Sequence, residues 1–193
     1  MKTFALIALL IMPFLGSSQV KFSAKTFDNG FRYPVMVYPS NTAIQDSINS
    51  IIIDKISDLK ASDFCIGDYG YVQKGNHIEL HLVCNCIEMS TADHRYYLFN
   101  LVNGTLVDHI DLFDGKKKDI AMKVVTEKIK KSKASNSCAT KFGEDLDSLN
   151  FSDIDIRLYR DGIEIRPLNS DCEKSPVKVQ WTELSSVLKY NFI

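Results

Sequence analysis

The sequence predicts an α+β fold with a mainly antiparallel sheet. Three observations carry that prediction. Turn dipeptides flanked by alternating apolar residues mark three β-hairpins. Apolar residues spaced by three and four over 42–60 and 116–132 mark two helices. The strands come in runs with the helices set between the runs, rather than alternating one for one.

Residues 1–18 precede that domain. Lys2 makes a short basic start, residues 4–15 form an almost unbroken apolar run, and Gly16-Ser17-Ser18 offers small residues for cleavage before Gln19. This is the pattern of a secretory signal peptide, with an apolar run too short to span a bilayer. No cysteine follows the cleavage point to carry a lipid anchor. The expected product is an exported chain, periplasmic or secreted, with residues 19–193 as a single α+β domain. Losing Lys2 moves the formal charge from −1 to −2. A chain so near neutrality has no general attraction for nucleic acid or anionic membrane. No later apolar run is long enough to make a membrane span, and no repeat stands out.

Residues 20–27 and 33–38 read as extended. Pro34 and Pro39 put them at edges or ends, since proline cannot donate to a ladder. Residues 42–60 form the clearest helix, with Ile44, Ile48, Ile51, Ile52, Ile56 and Leu59 on one face. Thr42 and Gln45 make a capping box at its start.

Gly75-Asn76 then turns the chain between Lys74 and His77, which fixes a register. Ile78, Leu80, Leu82, Cys84 and Cys86 share one face, opposite Gln73, Tyr71, Tyr69, Gly67 and Cys65. His77, Glu79, His81 and Asn85 take the other face, which reads as a solvent-facing polar stripe. In this register Cys65 lies directly across from Cys86 at a non-hydrogen-bonded position, where Cα atoms approach to about 4.5 Å and a disulfide can form. A slip of register or a bulge would favour Cys84 instead. Five cysteines remain after cleavage, so in an oxidising compartment one is left over. Cys138 and Cys172, both in polar loop-like stretches, make the second expected pair.

Tyr96–Val102 turns at Asn103-Gly104 into Thr105–Ile110. Residues 116–132 form the second helix, with Ile120, Val124, Val125 and Ile129 facing inward. Residues 133–150 read as a loop or irregular insertion. A third hairpin turns at Asp161-Gly162, placing Ile154, Ile156 and Leu158 on the same face as Ile163 and Ile165. Val177–Gln180 is the last strand, and Trp181, Leu184, Val187 and Leu188 mark a short closing helix.

Few residues suggest chemistry. His77, Glu79 and His81 project from one strand face, but i and i+4 on a strand lie about 13 Å apart. One ion could bridge neighbours in that row, yet hardly both histidines. Cys84-Asn85-Cys86 reads as a source of structural pairing rather than a redox pair. Ser57–Lys60 and Ser186–Lys189 match a Ser-x-x-Lys pattern at helix ends, where a lysine meets the carbonyl end of the dipole. No nucleophile elbow, phosphate loop or dinucleotide fingerprint occurs. The basic block Lys116-Lys117-Lys118 with Lys128, Lys130, Lys131 and Lys133 is interleaved with Asp111, Asp114, Asp119 and Glu127 and reads as a solvated helix face. Asp93, His94, Arg95 and Tyr96, placed in and beside a loop at 90–95, are the candidate binding residues, because a loop held on a rigid sheet is where ligands are commonly met.

Several pieces together resemble one family. They are Tyr33-Pro34-Val35, Asn49 before Ile51-Ile52, Tyr97–Leu101 leading into Asn103-Gly104, Asp111-Leu112-Phe113, Asp161–Ile165, and Val177–Val179 before Trp181–Leu184. Their order, over roughly residues 33–190, resembles the exported domain of RsiV-type anti-sigma factors, which also precedes the catalytic domain of PdaC-type peptidoglycan deacetylases. The resemblance implies an extracytoplasmic domain that binds rather than catalyses, with roles such as sensing lysozyme or accompanying cell-wall enzymes. The chain departs from the family in having no transmembrane and sigma-binding portions. It also has Ser90–Arg95 where the family carries a glycine- and histidine-rich loop, so only His94 has a counterpart there.

The expectation is thus a non-catalytic binding domain without cofactor or metal, whose partner is an extracytoplasmic protein or a peptidoglycan fragment. The alternatives are a metal-assisted hydrolase using His77, Glu79, His81 or His94, and a purely structural envelope protein.

Overall fold

The computed structural model describes residues 20–61, 65–87, 91–133, 135–143, 145–168, 175–190 and 192. The expected signal peptide, the loop residue Ser90 and Cys172 lie outside the described residues.

The fold is α+β, with three antiparallel sheets. Strands β1 (Lys21–Thr26) and β2 (Arg32–Val37) form a two-stranded ribbon. Helix α1 (Thr42–Lys55) follows, then the short α2 (Ser57–Ala61). The central sheet has the order β3 (Cys65–Lys74), β4 (His77–Cys86), β5 (Asp93–Asn100) and β6 (Thr105–Val107). Helix α3 (Lys118–Ser132) and the one-turn α4 (Ser137–Thr140) lead to the third sheet, β7 (Ile154–Tyr159), β8 (Gly162–Pro167) and β9 (Val177–Gln180), and α5 (Trp181–Leu184) closes the run.

The β3–β4 register is the one read from Gly75-Asn76, from Lys74↔His77 through to Cys65↔Cys86. Cys65 and Cys86 are joined, with Cα atoms 4.1 Å apart. Cys84 stays a free, buried thiol because its cross-strand partner is Gly67, which has no side chain to offer. Cys138 is disulfide-bonded.

Local chemistry shifts several boundaries. Asn41, not Thr42, caps α1, its carboxamide oxygen accepting from the Ile44 N–H at 3.2 Å. Gln45 is thereby free to accept from the Tyr38 N–H at 2.8 Å. The helix expected to run to residue 60 breaks at Ile56 (φ −114°, ψ 12°). Leu101–Gly104 make a four-residue loop, since Asn100 pairs with Thr105, and Gly104 takes φ +70°. The chain leaves that strand at Val107, and His109–Leu112 form a 3-10 turn capped by Asp108. In the third hairpin the turn residues are Arg160-Asp161, one position before the expected pair, because Tyr159 pairs with Gly162. Ile120 is 52% exposed, and Ala121 takes the inward position instead. Residues 133–150 are not a plain loop: α4 buries Cys138 and Ala139, and Phe142 and Leu146 join the core.

Two apolar cores flank the central sheet. Ile78, Leu80, Leu82 and Phe99 pack with Ile44, Ile48 and Ile52 of α1 and with Ile56 at its end. The other face carries Val72, Glu79 and Leu98 as cross-strand neighbours. Leu98 belongs to the second core, built from α3, the third sheet and Trp181, and Val72 packs against it. The expected solvent-facing stripe is therefore covered at one end, with His77 and Glu79 1% and 4% exposed. Alternation along β4 established which residues share a face; burial of both faces required a second sheet that alternation does not report.

Candidate functional site

Asp93, His94, Arg95 and Tyr96 open strand β5 and pair with β4, so successive side chains fall on opposite faces of the sheet. The alternation splits the four candidates into two pairs with different surroundings.

Asp93 and Arg95 share one face. The Arg95 guanidinium forks onto Asp58, with Nη1 and Nη2 donating to the two carboxylate oxygens at 2.9 and 2.6 Å. Its Nε donates to Asp93 at 2.7 Å, and Nη1 also reaches the Lys55 carbonyl at 3.0 Å. The Tyr97 hydroxyl donates to that same carbonyl at 3.4 Å. The last carbonyls of a helix lack intrahelical donors, so a strand side chain caps the break between α1 and α2. The hydrogen bond from Arg95, followed by its charge, lowers the Asp58 carboxyl from its ordinary value against the upward pull of burial. Asp58 and Asp93 in turn hold the Arg95 proton more firmly. Arg95 is thus a structural fork.

His94 and Tyr96 share the other face with His81, which lies across from Tyr96. All three are half-buried. His81 Nε2 and His94 Nδ1 are 3.0 Å apart. The His81 ring lies parallel to Tyr96, with centroids 4.2 Å apart and planes 6° apart. Arg157 of β7 sets its Cζ 3.5 Å from the Tyr96 ring centre. Two groups that close to one ring centre must occupy opposite faces, so Tyr96 is sandwiched and neither ring face is open to a sugar. Asp155 fixes Arg157 through Nε at 2.6 Å, and Arg157 Nη1 is buried without a hydrogen-bond partner among the described residues. The result is a column, Arg157–Tyr96–His81–His94, between the central and third sheets.

Towards the covered end of the same face stand Glu79 and His77. Glu79 Oε2 accepts from the Leu158 N–H at 3.0 Å, and it also contacts His109 Nε2. His77 packs under Tyr190 and Phe192, with ring centroids 4.3 and 5.5 Å away. Neither His77 ring nitrogen has a hydrogen-bond partner among the described residues, and burial, then the charge of Lys189, lowers its proton affinity. His77, Glu79 and His81 therefore do not converge on one point. No group of three or more His, Cys, Asp or Glu fit to hold a metal occurs among the described residues.

Sequence reasoning missed His81 and Arg157 as members of the column. The parity of His81 with Tyr96 was readable once β5 was taken as a strand from Asp93; Arg157, 61 positions beyond Tyr96, left no local signal. A cavity of about 420 Å³ lies elsewhere, on α3 beside α5, lined by Ile120, Val124, Lys128, Lys131 and Glu183 among others. Lys128 there is held by Glu183 at 2.8 Å. Among the described residues no helix is long and apolar enough to cross a membrane.

No family model matches the sequence, and no curated protein matches it. Among solved structures, the chain is similar to a DUF3298 family protein from Pseudomonas aeruginosa PAO1, with a TM-score of 0.54 and 10% identity over 91% of this chain and 96% of that one. A member of the same family from Bacteroides fragilis NCTC 9343 gives a TM-score of 0.45 and 12% identity over 90% and 93% of the two chains. At that identity the Pseudomonas likeness concerns the fold alone: the chain shares the architecture of a DUF3298 family protein across nearly its whole length.

Proposed function

We propose that this protein is a non-catalytic, exported bacterial binding domain, whose ligand is an extracytoplasmic protein of the lysozyme type or a peptidoglycan fragment. The observation that carries the reading is the column at His94. Its four side chains stand on strands, so they are preformed rather than mobile, and rigid preorganised surfaces bind without a large ordering cost. The half-buried imidazoles offer ring nitrogens, and Arg157 behind Tyr96 adds positive charge, which suits the carboxylates and amide carbonyls that muropeptides and acidic protein loops display. The apolar run at 4–15, the Cys65–Cys86 disulfide and the resemblance to the RsiV-type exported domain support an extracytoplasmic setting.

The test is direct binding of lysozyme and of purified muropeptides to the full chain by calorimetry, beside pull-down from envelope extracts. Saturable binding that weakens at least tenfold in Arg157→Gln supports the reading. Retention of none of these ligands, or binding indifferent to Arg157→Gln and His94→Ala, overturns it.

A further inference from the structure

The geometry points to the His81–His94 pair as a binding site for one soft, closed-shell monovalent metal ion of the Cu(I) class, held in two-coordinate, linear fashion. The argument rests on how the rings meet. The ring centroids are 5.3 Å apart and the facing nitrogens 3.0 Å apart. That difference is accounted for by the two ring radii, so both nitrogens lie close to the line joining the ring centres. With planes only 19° apart, the two in-plane lone-pair directions point head-on at each other.

Head-on donors suit an ion that takes two ligands on opposite sides. They do not suit zinc, which wants four ligands in a tetrahedron. Nor do they suit Cu(II) or Ni(II), which favour a tetragonal set. Those ions would need the rings to swing until their lone pairs converge at an angle, and the parallel stack of His81 on Tyr96 at 4.2 Å opposes that swing. They would also need further protein ligands, and no cluster of three or more metal-binding groups occurs among the described residues.

In the apo pair one ring proton lies between the nitrogens. On binding, that proton moves to the far nitrogen of its own ring. Both imidazoles are then neutral, with N–H on His81 Nδ1 and His94 Nε2, and each gives one lone pair to the ion. No proton leaves the neutral pair and the oxidation state of the metal does not change. With metal–nitrogen bonds of about 2 Å, the nitrogens separate from 3.0 Å to about 4 Å. The smaller adjustment falls to His81, pinned by Tyr96. The site stands on ring geometry alone, so a failed search for a protein or muropeptide ligand leaves it intact.

The experiment is an anaerobic competition with bicinchoninate-buffered Cu(I) under ascorbate, using the full chain. The wild type is expected to withdraw one equivalent. His81→Asn and His94→Asn are each expected to cut the affinity at least tenfold, while Cys84→Ala, which removes the free thiol, leaves it unchanged. Circular dichroism melts of the variants show whether they fold. Imidazole NMR signals of the wild type give a reading that needs no variant, with only His81 and His94 expected to shift. No uptake, uptake lost in Cys84→Ala, shifts confined to His77 or His109, or tighter binding of Zn(II) than of Cu(I) would each overturn the assignment.

Discussion

Glu79, in the middle of the central sheet, accepts the main-chain N–H of Leu158 at the free edge of the third sheet at 3.0 Å. The same oxygen meets His109, on the 3-10 turn that links the two halves of the chain. One carboxylate thus ties together three segments distant in sequence. It occupies a position only 4% exposed, where an unpaired donor or charge is costly. Glu79→Ala is expected to lose about 3 kcal/mol, from an orphaned Leu158 N–H, an unpartnered His109 and a cavity. Glu79→Gln keeps an acceptor for Leu158 and should lose only about 1 kcal/mol. Urea unfolding at neutral pH measures both. Equal losses in the two variants would show that charge, not the hydrogen bond to Leu158, carries the effect.

Arg95 makes a different kind of tie, between a strand and the end of a helix. The Asp58 side chain of the pair is 60% exposed, so solvent screening keeps the contribution below about 1 kcal/mol. The folded-state pKa of Asp58 is lowered. The pair therefore contributes in full above the unfolded value of about 3.9, and the contribution is lost as pH falls through the folded value. Asp58→Asn should be less stable than wild type at pH 7, and the difference should shrink as pH falls below the unfolded value. Arg95→Ala should add fraying of α1, seen as faster amide exchange at residues 53–55.

His77 carries the opposite chemistry, a buried base whose ring nitrogens have no hydrogen-bond partner among the described residues. Its proton affinity is lowered by burial, so the folded protein favours the neutral ring. The unfolded chain takes up a proton near pH 6.5, and stability therefore falls with acidification from there down to the folded value. His77→Leu removes both the unsatisfied nitrogens and this linkage. Replacing an unpaired polar group by an apolar one of similar size is neutral or stabilising. Thermal melts at pH 7.5 and 5.5 should bring wild type and variant close together at the higher pH and separate them at the lower, with the variant ahead. A wild-type melting temperature that does not fall between those pH values would argue against the linkage.

These side chains mark how far the sequence could be read. The hairpin register and the Cys65–Cys86 disulfide followed from local facts, a two-residue turn and a period of two, and those facts do not change when tertiary partners arrive. The succession of strand runs and helices along the chain, with the two longer helices, was legible for the same reason. The break at Ile56 was not, because the side chain that takes the Lys55 carbonyl lies 40 residues downstream on another element. The polar stripe on β4 looked solvated because a strand's own pattern cannot report a second sheet above it. Of the candidate site, His94 and Tyr96 were visible as polar residues near a strand start, but the column they belong to needs Arg157 from the third sheet.

Gly67 shows a close approach that no side chain would survive. A Cβ there would stand 2.2 Å from the Arg32 carbonyl oxygen and 2.5 Å from the Phe31 ring. The ribbon of β1 and β2 thus rests on the central sheet through bare backbone. Phe31 is itself 1% exposed and cannot move aside cheaply. Gly67→Ala should destabilise by about 2–3 kcal/mol, as overpacking of a well-packed core does. Gly70→Ala, where a Cβ meets nothing within 4 Å, is the control and should change stability little. Denaturant midpoints of the two variants decide the point, and matching midpoints would mean that the ribbon lifts off to make room.

Cys84 lies opposite Gly67, two residues before the bridged Cys86 and on the same face. Exchange with the Cys65–Cys86 disulfide would need a thiolate, since only the thiolate attacks. Burial pushes the Cys84 thiol up to about 11, against a partial pull downward from Arg95. At neutral pH the group is protonated and covered. Iodoacetamide should therefore leave Cys84 unmodified in the native protein over hours and label it within minutes in denaturant. Non-reducing peptide mapping should find Cys65 joined to Cys86, with no Cys84 disulfide even after prolonged storage at pH 8. Rapid native labelling, or a Cys65–Cys84 isomer accumulating on storage, would mean that the first core opens far more often than its packing implies.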